Sequence, residues 1–485
     1  MDKKIKKKIL KEVKKVAKKR PILFLVTITI LLVCVGVLYY GYEKGWLDTY
    51  LGATSTPTVT TTTTAPTSVP TTTVIPTTTQ TTVAPTTVPT TVPTSTVAPQ
   101  PTTTIEPTTT PTTEVVTEKI VDNIIYDNFQ VHFLRMGDET YSTDYSKNSG
   151  DSVYIKAGEN DILIDAGSRD GSAGYIKKYV DQYCTDGKLE YVIATHADQD
   201  HIAGFVGTTK YPGIFDSYKV DTIIDFAKSD KTTQVYNNYK TKRDAEVASG
   251  ATHYTAAESF NANAVYTLGE GISFKVLYNK YYFEKSSDEN NYSVCTLFTY
   301  NDRNFIFTGD LEVDGENYLA QYYDGSTLEK TLPKVELYKA GHHGSKTSSN
   351  DCLLSKIQPE ICVACCCAGY PEYTPANDNI FPTQDFVSRI ARYTDRVYVT
   401  SVFNEKTLKP QKMNGDVIIS CNGNNIGISS TNNITKLKDT EWFNSTVYLN
   451  PSGYIVSAKG KTDFFTATTA NCAPAQRRIW PSYGV

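Results

Sequence analysis

Two short loops of this sequence concentrate residue types that bind divalent metal ions. Residues 195–204 read THADQDHIAG and residues 339–346 read KAGHHGSK. The whole chain has six histidines, and these loops hold four of them. Neutral imidazole and ionised carboxylate hold such ions at about 2 Å. The candidate ligands in the loops are His196, Asp198, Asp200, His201, His342 and His343.

An apolar strand is predicted directly before each loop, and another before a further carboxylate. LEYVIA at 189–194 leads into the first loop, VELY at 335–338 leads into the second, and NFIFT at 304–308 leads to Asp310. A loop at the end of a buried strand lets its side chains converge on one point. An acidic turn that happens to carry two histidines is the alternative for the first loop alone. The second loop and Asp310 weaken it, because three strand ends then present ligands, as a two-metal site requires.

The elements that must position these residues alternate along the chain. From about residue 124, short apolar strands are interleaved with predicted helices at 172–183, 312–323, 349–357 and 383–391. This order predicts an α/β domain built on a mixed sheet.

Five motifs in one order resemble the metallo-β-lactamase superfamily. They are ILIDAG at 162–167, THADQDHIAG, ENNYSV at 289–294, TGD at 308–310 and GHHGSK at 341–346. Their order and wording are similar to those of the extracellular hydrolase domain of ComEC-type competence proteins, over about residues 126–440. The resemblance implies a four-layer αββα sandwich. It also implies two divalent ions, Zn²⁺ or Mn²⁺, at one edge of the paired sheets.

The resemblance also implies roles for individual residues. His196 and Asp198 would hold one ion, Asp200, His201 and His343 would hold the other, and Asp310 would bridge the two. His342 would face the substrate, so that Asp200, Asp310 and His342 are the expected catalytic residues. Asp165 would orient the ligand loop by hydrogen bonds. Asn291 stands where the wider superfamily has another histidine, and Ser345 is expected beside the substrate or the ligands.

Two positions depart from the ComEC-type pattern. Arg135 stands where that pattern has an aspartate, and Phe381 stands before Pro382 where it has a histidine. Both leave the metal loops intact and put the family's substrate chemistry in question.

The resemblance favours a phosphodiesterase or nuclease that acts outside the cell through a metal-activated water. DNA is the substrate that the competence family suggests. However, residues 118–485 carry about 36 basic and about 46 acidic side chains, without the broad basic surface of a DNA-binding protein. A local basic track would have to come from Lys339, Lys346, Arg389, Arg392 and Arg396.

Two other functions remain open. One is an esterase for phosphodiesters of the cell wall, such as teichoic acid or its phosphocholine groups. The other is a non-catalytic surface protein that keeps the fold for binding. No protein partner is predicted.

The N-terminal third predicts a membrane anchor and a spacer. Residues 1–20 are strongly basic, and residues 21–42 are apolar over about 20 residues, enough for the ~30 Å hydrocarbon core. The basic flank predicts a cytoplasmic N-terminus and an extracellular catalytic domain. A cleaved signal peptide is the alternative, disfavoured by the length of the apolar run. Residues 43–123, rich in Thr and Pro, predict a disordered stalk. The hydrolase domain is expected at 124–445, and a C-terminal extension at 446–485 receives no function.

The remaining histidines and the cysteines favour structural roles. His132 lies on a predicted strand and is expected to pack in the core. His253 is expected in an insertion loop near the mouth of the site. ICVACCCA at 361–368 predicts a buried strand that uses cysteine as a small apolar residue.

Overall fold

A computed structural model describes residues 119–136, 150–168, 171–371, 376–404, 407, 409–457 and 472–483. All of them lie in the second of the two units into which the chain divides, residues 109–485. The predicted basic tail, the membrane span and almost all of the predicted stalk lie outside the described residues. Within the described residues, no helix has the length and apolar character needed to cross a membrane.

A nine-stranded mixed sheet forms one half of the domain, in the order β1-β17-β16-β2-β3-β4-β5-β6-β7. Its strands are β1 (Ile120–Asp122), β2 (Phe129–Phe133), β3 (Val153–Ala157), β4 (Asn160–Ile164), β5 (Lys188–Ala194), β6 (Lys219–Asp225), β7 (Thr252–Thr255), β16 (Val417–Cys421) and β17 (Ile426–Ser430). The strands from β4 to β7 run parallel. Residues 120–122, at the end of the predicted stalk, form β1, whose backbone pairs in parallel with β17.

An eight-stranded mixed sheet forms the other half, in the order β15-β14-β13-β12-β11-β10-β9-β8. Its strands are β8 (Val265–Gly269), β9 (Ile272–Val276), β10 (Thr296–Tyr300), β11 (Arg303–Phe307), β12 (Leu337–Lys339), β13 (Ile361–Ala368), β14 (Val397–Asn404) and β15 (Lys409–Lys412). The strands from β11 to β14 run parallel. The cysteine-rich segment is the fully buried strand β13, as predicted.

Helices cover the outer faces of both sheets. They are α1 (Ser172–Val180), α2 (Gln199–Val206), α3 (Ile214–Ser217), α4 (Gln234–Ala248), α5 (Ala256–Asn261), α6 (Val313–Tyr322), α7 (Asp351–Ile357), α8 (Gln384–Ile390) and α9 (Glu441–Asn444).

Alternation along the strands of the second sheet separates the domain into four layers. On β11, Phe305 and Phe307 point into the core shared with the first sheet. Ile306, between them, points into a second core with helices α6 to α9. Because neighbouring strand residues face opposite sides, the second sheet is buried on both faces. Helices α1 to α4 pack into the first core, so the layers run helix, sheet, sheet, helix. The α/β sandwich expected from the sequence is therefore observed.

His132 lies in the core, as predicted. It is fully buried on β2, and its ring nitrogens hydrogen-bond the Tyr179 hydroxyl at 2.8 Å and Gln130 Oε1 at 3.0 Å. Burial lowers the pKa of His132 to about 3, so the ring is neutral at physiological pH. The expectation that His253 lies in a loop is wrong, because it lies on strand β7. Its Nε2 lies 2.8 Å from Asp225 Oδ1, which ties β7 to β6.

The C-terminal extension forms a three-stranded sheet in the order β19-β18-β20. Its strands are β18 (Thr446–Leu449), β19 (Ile455–Ser457) and β20 (Ala473–Gln476). Just after β20, Arg478 is almost fully buried. Its guanidinium donates to the carbonyl oxygens of Pro382, Ile380 and Asn377 at 2.6–2.9 Å. The extension therefore holds the loop that contains Phe381.

Phe129 joins the two sheets, and its removal tests their packing. Its ring centroid lies 4.7 Å from that of Phe305 and 6.4 Å from that of Phe298. Phe129→Ala is expected to lower the free energy of unfolding by about 3–5 kcal/mol, because a cavity opens between the sheets. Chemical denaturation measures the loss. Leu328→Ala, at a side chain that is 90% exposed, should change it by less than about 0.5 kcal/mol. Equal losses in both variants would contradict this packing.

Candidate metal centre

The ends of four strands from both sheets meet at one edge of the sandwich. In the first sheet, β4 is followed by Asp165 and β5 by His196. In the second sheet, β11 is followed by Asp310 and β12 by a 3₁₀ turn over Gly341–Gly344. Because β4 runs parallel to β5 and β11 to β12, the carboxyl ends within each pair lie side by side.

Asp165 fixes the orientation of His201. One of its carboxylate oxygens lies 2.7 Å from His201 Nδ1 and accepts a hydrogen bond from the Thr195 hydroxyl, also at 2.7 Å. The other oxygen accepts from the Thr195 backbone N–H at 2.8 Å. His201 is thereby held with Nε2 directed towards Asp310.

Helix α2 can carry His201 this close to the strand ends because Gly204 has no side chain. A Cβ atom at Gly204 would lie 2.0 Å from the carbonyl oxygen of Ala166. The backbone N–H of Ala166 donates to the carbonyl oxygen of His201 at 2.7 Å. The helix therefore rests directly on the loop that carries Asp165.

Asp151 performs the corresponding role for His343, and the sequence reasoning missed it. Asp151 is fully buried just before β3. One of its oxygens lies 3.0 Å from His343 Nδ1, which also lies 3.1 Å from the carbonyl oxygen of Cys365. The other oxygen forms an ion pair with the buried Lys339. Asp151 stands in a polar run with no local motif, so no sequence signal marked it.

Asp310 is the point at which these imidazoles meet. His201 Nε2 and His343 Nε2 both lie 3.2 Å from Asp310 Oδ2. Asp200 Oδ2 lies 3.3 Å from the same His343 nitrogen. Ligand atoms of Asp151, His201, Asp310 and His343 all lie within 4.8 Å of one another.

His196 and Asp198 form a second group beside the first. The ring centroid of His196 lies 4.1 Å from that of His201, and its Nε2 lies 3.7 Å from Asp198 Oδ2. Asp198 occupies the N-cap position of α2 but makes no side-chain hydrogen bond to the helix, although an N-cap aspartate usually does. Its carboxylate instead points towards His196 and forms an ion pair with Lys231.

The two consecutive histidines of the second loop adopt a strained backbone. His342 and His343 have φ values of 45° and 54°, a left-handed conformation that costs non-glycine residues about 1–2 kcal/mol each. This conformation sends the two rings different ways. His343 points into the buried cluster, while His342 Nε2 lies 3.9 Å from Asp310 Oδ2 and its Nδ1 3.4 Å from Glu312 Oε1. The His342 side chain is 18% exposed, so it lies at the surface of the centre.

Asn291 and Ser345, two residues singled out in the sequence, form hydrogen bonds outside the ligand cluster. The side-chain oxygen of Asn291 accepts hydrogen bonds from the backbone N–H groups of Glu312 and Gly315, both at 3.3 Å. Asn291 therefore binds the start of α6. The Ser345 hydroxyl lies 3.0 Å from that of Thr347. Phe381, which replaces the histidine of the family pattern, places its ring centroid 5.8 Å from that of His342 and 6.0 Å from that of His343.

The proposed basic track is not supported by the placement of its members. Lys339 is buried and paired with Asp151. Arg389 donates to the backbone carbonyls of residues 346, 348 and 349. Arg392 is paired with Asp351 at 2.6 Å. These three cations stabilise the domain itself.

Burial and neighbouring negative charges shift the pKa values of the histidines in opposite directions. Burial and the neighbouring His201 lower the pKa of His196 to about 4. Burial would also lower the pKa of His343, but the charges of Asp151 and Asp310 outweigh it and hold that pKa well above its usual value. The pKa of His201 is raised in the same way by Asp310 and Asp165. Since metal ions bind deprotonated imidazole, an ion held by His201 and His343 would release protons.

These donors fit divalent metal ions. His196 Nε2 and Asp310 Oδ1 are buried without a hydrogen-bond partner, which is costly unless another group binds them. His201 and His343 face Asp310 through Nε2, and the Nδ1 atom of each is held by an aspartate. This arrangement commonly supports histidine ligands. A mixture of nitrogen and carboxylate donors suits Zn²⁺ or Mn²⁺.

The metallo-beta-lactamase superfamily model matches residues 146–213, which include the first metal loop. Curated relatives are "Recombination protein 2" of Haemophilus influenzae and "Competence protein ComA" of Neisseria gonorrhoeae. The first is 26% identical over 52% of this chain and 26% of its own length, and the second is 24% identical over 52% and 30%. "ComE operon protein 3" of Bacillus subtilis is 25% identical over 36% of this chain and 20% of its own length. These matches confirm the resemblance to the superfamily and to ComEC-type competence proteins.

Solved structures that match the chain include the short form of human tRNase Z. It is 13% identical, with coverage of 60% of this chain and 98% of that one, at a TM-score of 0.31. The metallo-beta-lactamase fold protein YhfI from Bacillus subtilis is 12% identical, with coverage of 44% and 71% and a TM-score of 0.28. The chain spans less than a third of the length of each curated relative named above. The superfamily match and the His/Asp cluster together support a metal-dependent hydrolase in general terms.

Asp165→Asn tests whether the oriented histidine matters for metal binding. The amide offers a weaker acceptor to His201 Nδ1, so affinity for Zn²⁺ or Mn²⁺ is expected to fall about 10–100-fold. Competition with a chromophoric chelator measures the affinity. Asp395→Asn, at a surface carboxylate paired with Lys436, is the control and should bind as the wild type does. Unchanged affinity in Asp165→Asn would exclude the orienting role.

Proposed function

We propose that this domain is a metal-dependent hydrolase that cleaves phosphodiester or related ester bonds with a metal-activated water. The observation that carries the proposal is the convergence of His201 Nε2 and His343 Nε2 on Asp310 Oδ2, each at 3.2 Å. Buried imidazoles and a shared carboxylate in this arrangement suit a pair of divalent ions.

Different residues of the chain would have different roles in such a centre. His196 and Asp198 would hold one ion, while Asp200, His201 and His343 would hold the other. Asp310 would be shared by both. When bound, divalent ions lower the pKa of water and stabilise charge on phosphoryl oxygens. Asp165 and Asp151 keep the inner imidazoles in position.

His342 is the residue that meets the substrate. Its ring lies at the surface of the centre, with Nδ1 near Glu312 and Nε2 near Asp310. If only Nδ1 carries a proton and donates a hydrogen bond to Glu312, Nε2 accepts a hydrogen bond from the substrate. If both nitrogens are protonated, Nε2 donates to a phosphoryl oxygen. In either protonation state, His342 contacts the reacting group of the substrate. Phe381 forms an apolar wall beside it.

DNA and cell-wall polymers are the two substrate classes that we consider. The names of the relatives, which concern recombination and competence, favour DNA. The excess of acidic residues and the internal pairing of Lys339 and Arg392 favour a smaller phosphodiester, such as a group on teichoic acid. Both substrates require the same water attack at phosphorus.

Asp310→Ala tests the reaction. Hydrolysis of bis-p-nitrophenyl phosphate with Mn²⁺ or Zn²⁺ is expected to fall by at least about a hundredfold, since a shared ligand matters more than an outer partner. The matched control is Asp324→Ala, at an exposed carboxylate, which should keep full activity. The same assay with single-stranded DNA, double-stranded DNA and phosphocholine esters distinguishes the substrate classes. Full activity in Asp310→Ala would exclude the assigned role.

We also propose that residues 21–42 anchor the chain in the membrane and that residues 43–118, most of the predicted stalk, extend the catalytic domain outside the cell. The apolar run and its basic flank carry this proposal. Protease added to intact cells is expected to remove the domain, while a tag before residue 1 stays protected. Protection of the domain until the cells are lysed would contradict the orientation. Release of an intact domain into the medium would instead indicate a cleaved signal peptide.

A further inference from the structure

Lys231 places a positive charge beside the outer half of the metal centre. It lies in the segment that precedes α4, and its ammonium group forms an ion pair with Asp198 Oδ1. The other oxygen of Asp198 lies 3.7 Å from His196 Nε2. Glu289 and Asp200 also exert their charges on Lys231. The ammonium therefore occupies a pocket of negative charge next to two proposed ligands.

The inner and outer halves of the centre are unequal. In the inner half, His343 Nε2 lies 3.3 Å from Asp200 Oδ2 and 3.2 Å from Asp310 Oδ2, and His201 Nε2 lies 3.2 Å from the same Asp310 oxygen. The inner half therefore brings together two imidazoles and two carboxylates. The outer half has one imidazole, His196, and one carboxylate, Asp198, that is already neutralised by Lys231. The Asn291 side-chain oxygen, bound to the start of α6, does not add a ligand there.

The solvent exposure of the two ion pairs shows which one can open. The side chains of Lys231 and Asp198 are 32% and 27% exposed. By contrast, the side chains of the inner pair, Lys339 and Asp151, are 2% and 1% exposed. Breaking a buried pair leaves an uncompensated charge. A partly exposed lysine, by contrast, can rotate its ammonium group into solvent at little cost.

We propose that Lys231 is an internal competitor for the outer metal ion, so that the centre fills in order, the inner position first. An ion at His196 and Asp198 must displace the ammonium from Asp198. By linkage, the free energy of the Lys231–Asp198 ion pair is subtracted from the binding free energy of that ion. On the inner side, Lys339 pairs directly with the buried Asp151, and its ammonium group lies farther from the shared ligand, 3.9 Å from Asp310 Oδ1. This inference rests on the proposed function, since it takes these residues as metal ligands.

Metal titration of the full chain tests the order of filling without any activity assay. Isothermal titration with Mn²⁺, checked by equilibrium dialysis and elemental analysis, is expected to give two equivalents whose affinities differ at least about tenfold. In Lys231→Gln, the second affinity should rise by about tenfold, with the first changed less than about twofold.

Two further variants separate specific competition from a general effect of charge. Lys228→Gln removes a positive charge three residues earlier in the same segment, from a lysine that donates to the Tyr282 carbonyl oxygen. It should leave both affinities unchanged. Lys231→Arg keeps the charge and should retain the weak second site.

The outcomes distinguish this inference from the proposed function. If the chain binds no divalent ion, the metal centre itself is refuted. If it binds two ions of equal affinity, or if Lys231→Gln leaves the second affinity unchanged, only the role of Lys231 is refuted. An equal gain in affinity in Lys228→Gln would also refute it.

Discussion

Buried negative charge around Asp310 is the constraint on which this domain depends. Asp151, Asp165 and Asp310 are each at most 2% exposed, and an ionised carboxylate removed from water costs several kcal/mol unless it is paired. The chain supplies compensating charge through Lys339 and the imidazoles of His201 and His343. A centre built in this way attracts cations whether or not it catalyses a reaction. Its specificity therefore comes from how rigidly the donor atoms are held.

Rigidity comes from the fold at three levels. The parallel strand pairs set the carboxyl ends side by side, and Gly204 lets α2 rest against the loop after β4. The left-handed backbone at His342 and His343 then sends adjacent rings to different tasks. Such strain persists where surrounding packing overrides it, which is characteristic of functional sites.

The sequence predicted the parts of the centre that are local in the chain. The loops at His196 and His343 and the carboxylate Asp310 each follow an apolar strand, and strand periodicity is visible in a single segment. Asp151 and Lys231 were missed because their significance arises only from pairing with residues far away in sequence. Asn291 matched a family position, yet the start of α6 determines where its side chain points. The strand at residues 120–122 was missed because three residues carry too little pattern to outweigh the Thr/Pro composition before them.

The wall beside His342 depends on a residue from the far end of the described domain. The Arg478 guanidinium donates four hydrogen bonds to residues 377–382, the loop around Phe381, and a fifth to the carbonyl oxygen of Arg477. During synthesis the ribosome delivers the metal loops long before it delivers Arg478. A nascent chain that has completed both sheets therefore still lacks the support for Phe381. Positioning of Phe381 beside His342 is thus separate from assembly of the ligand cluster and comes later in synthesis.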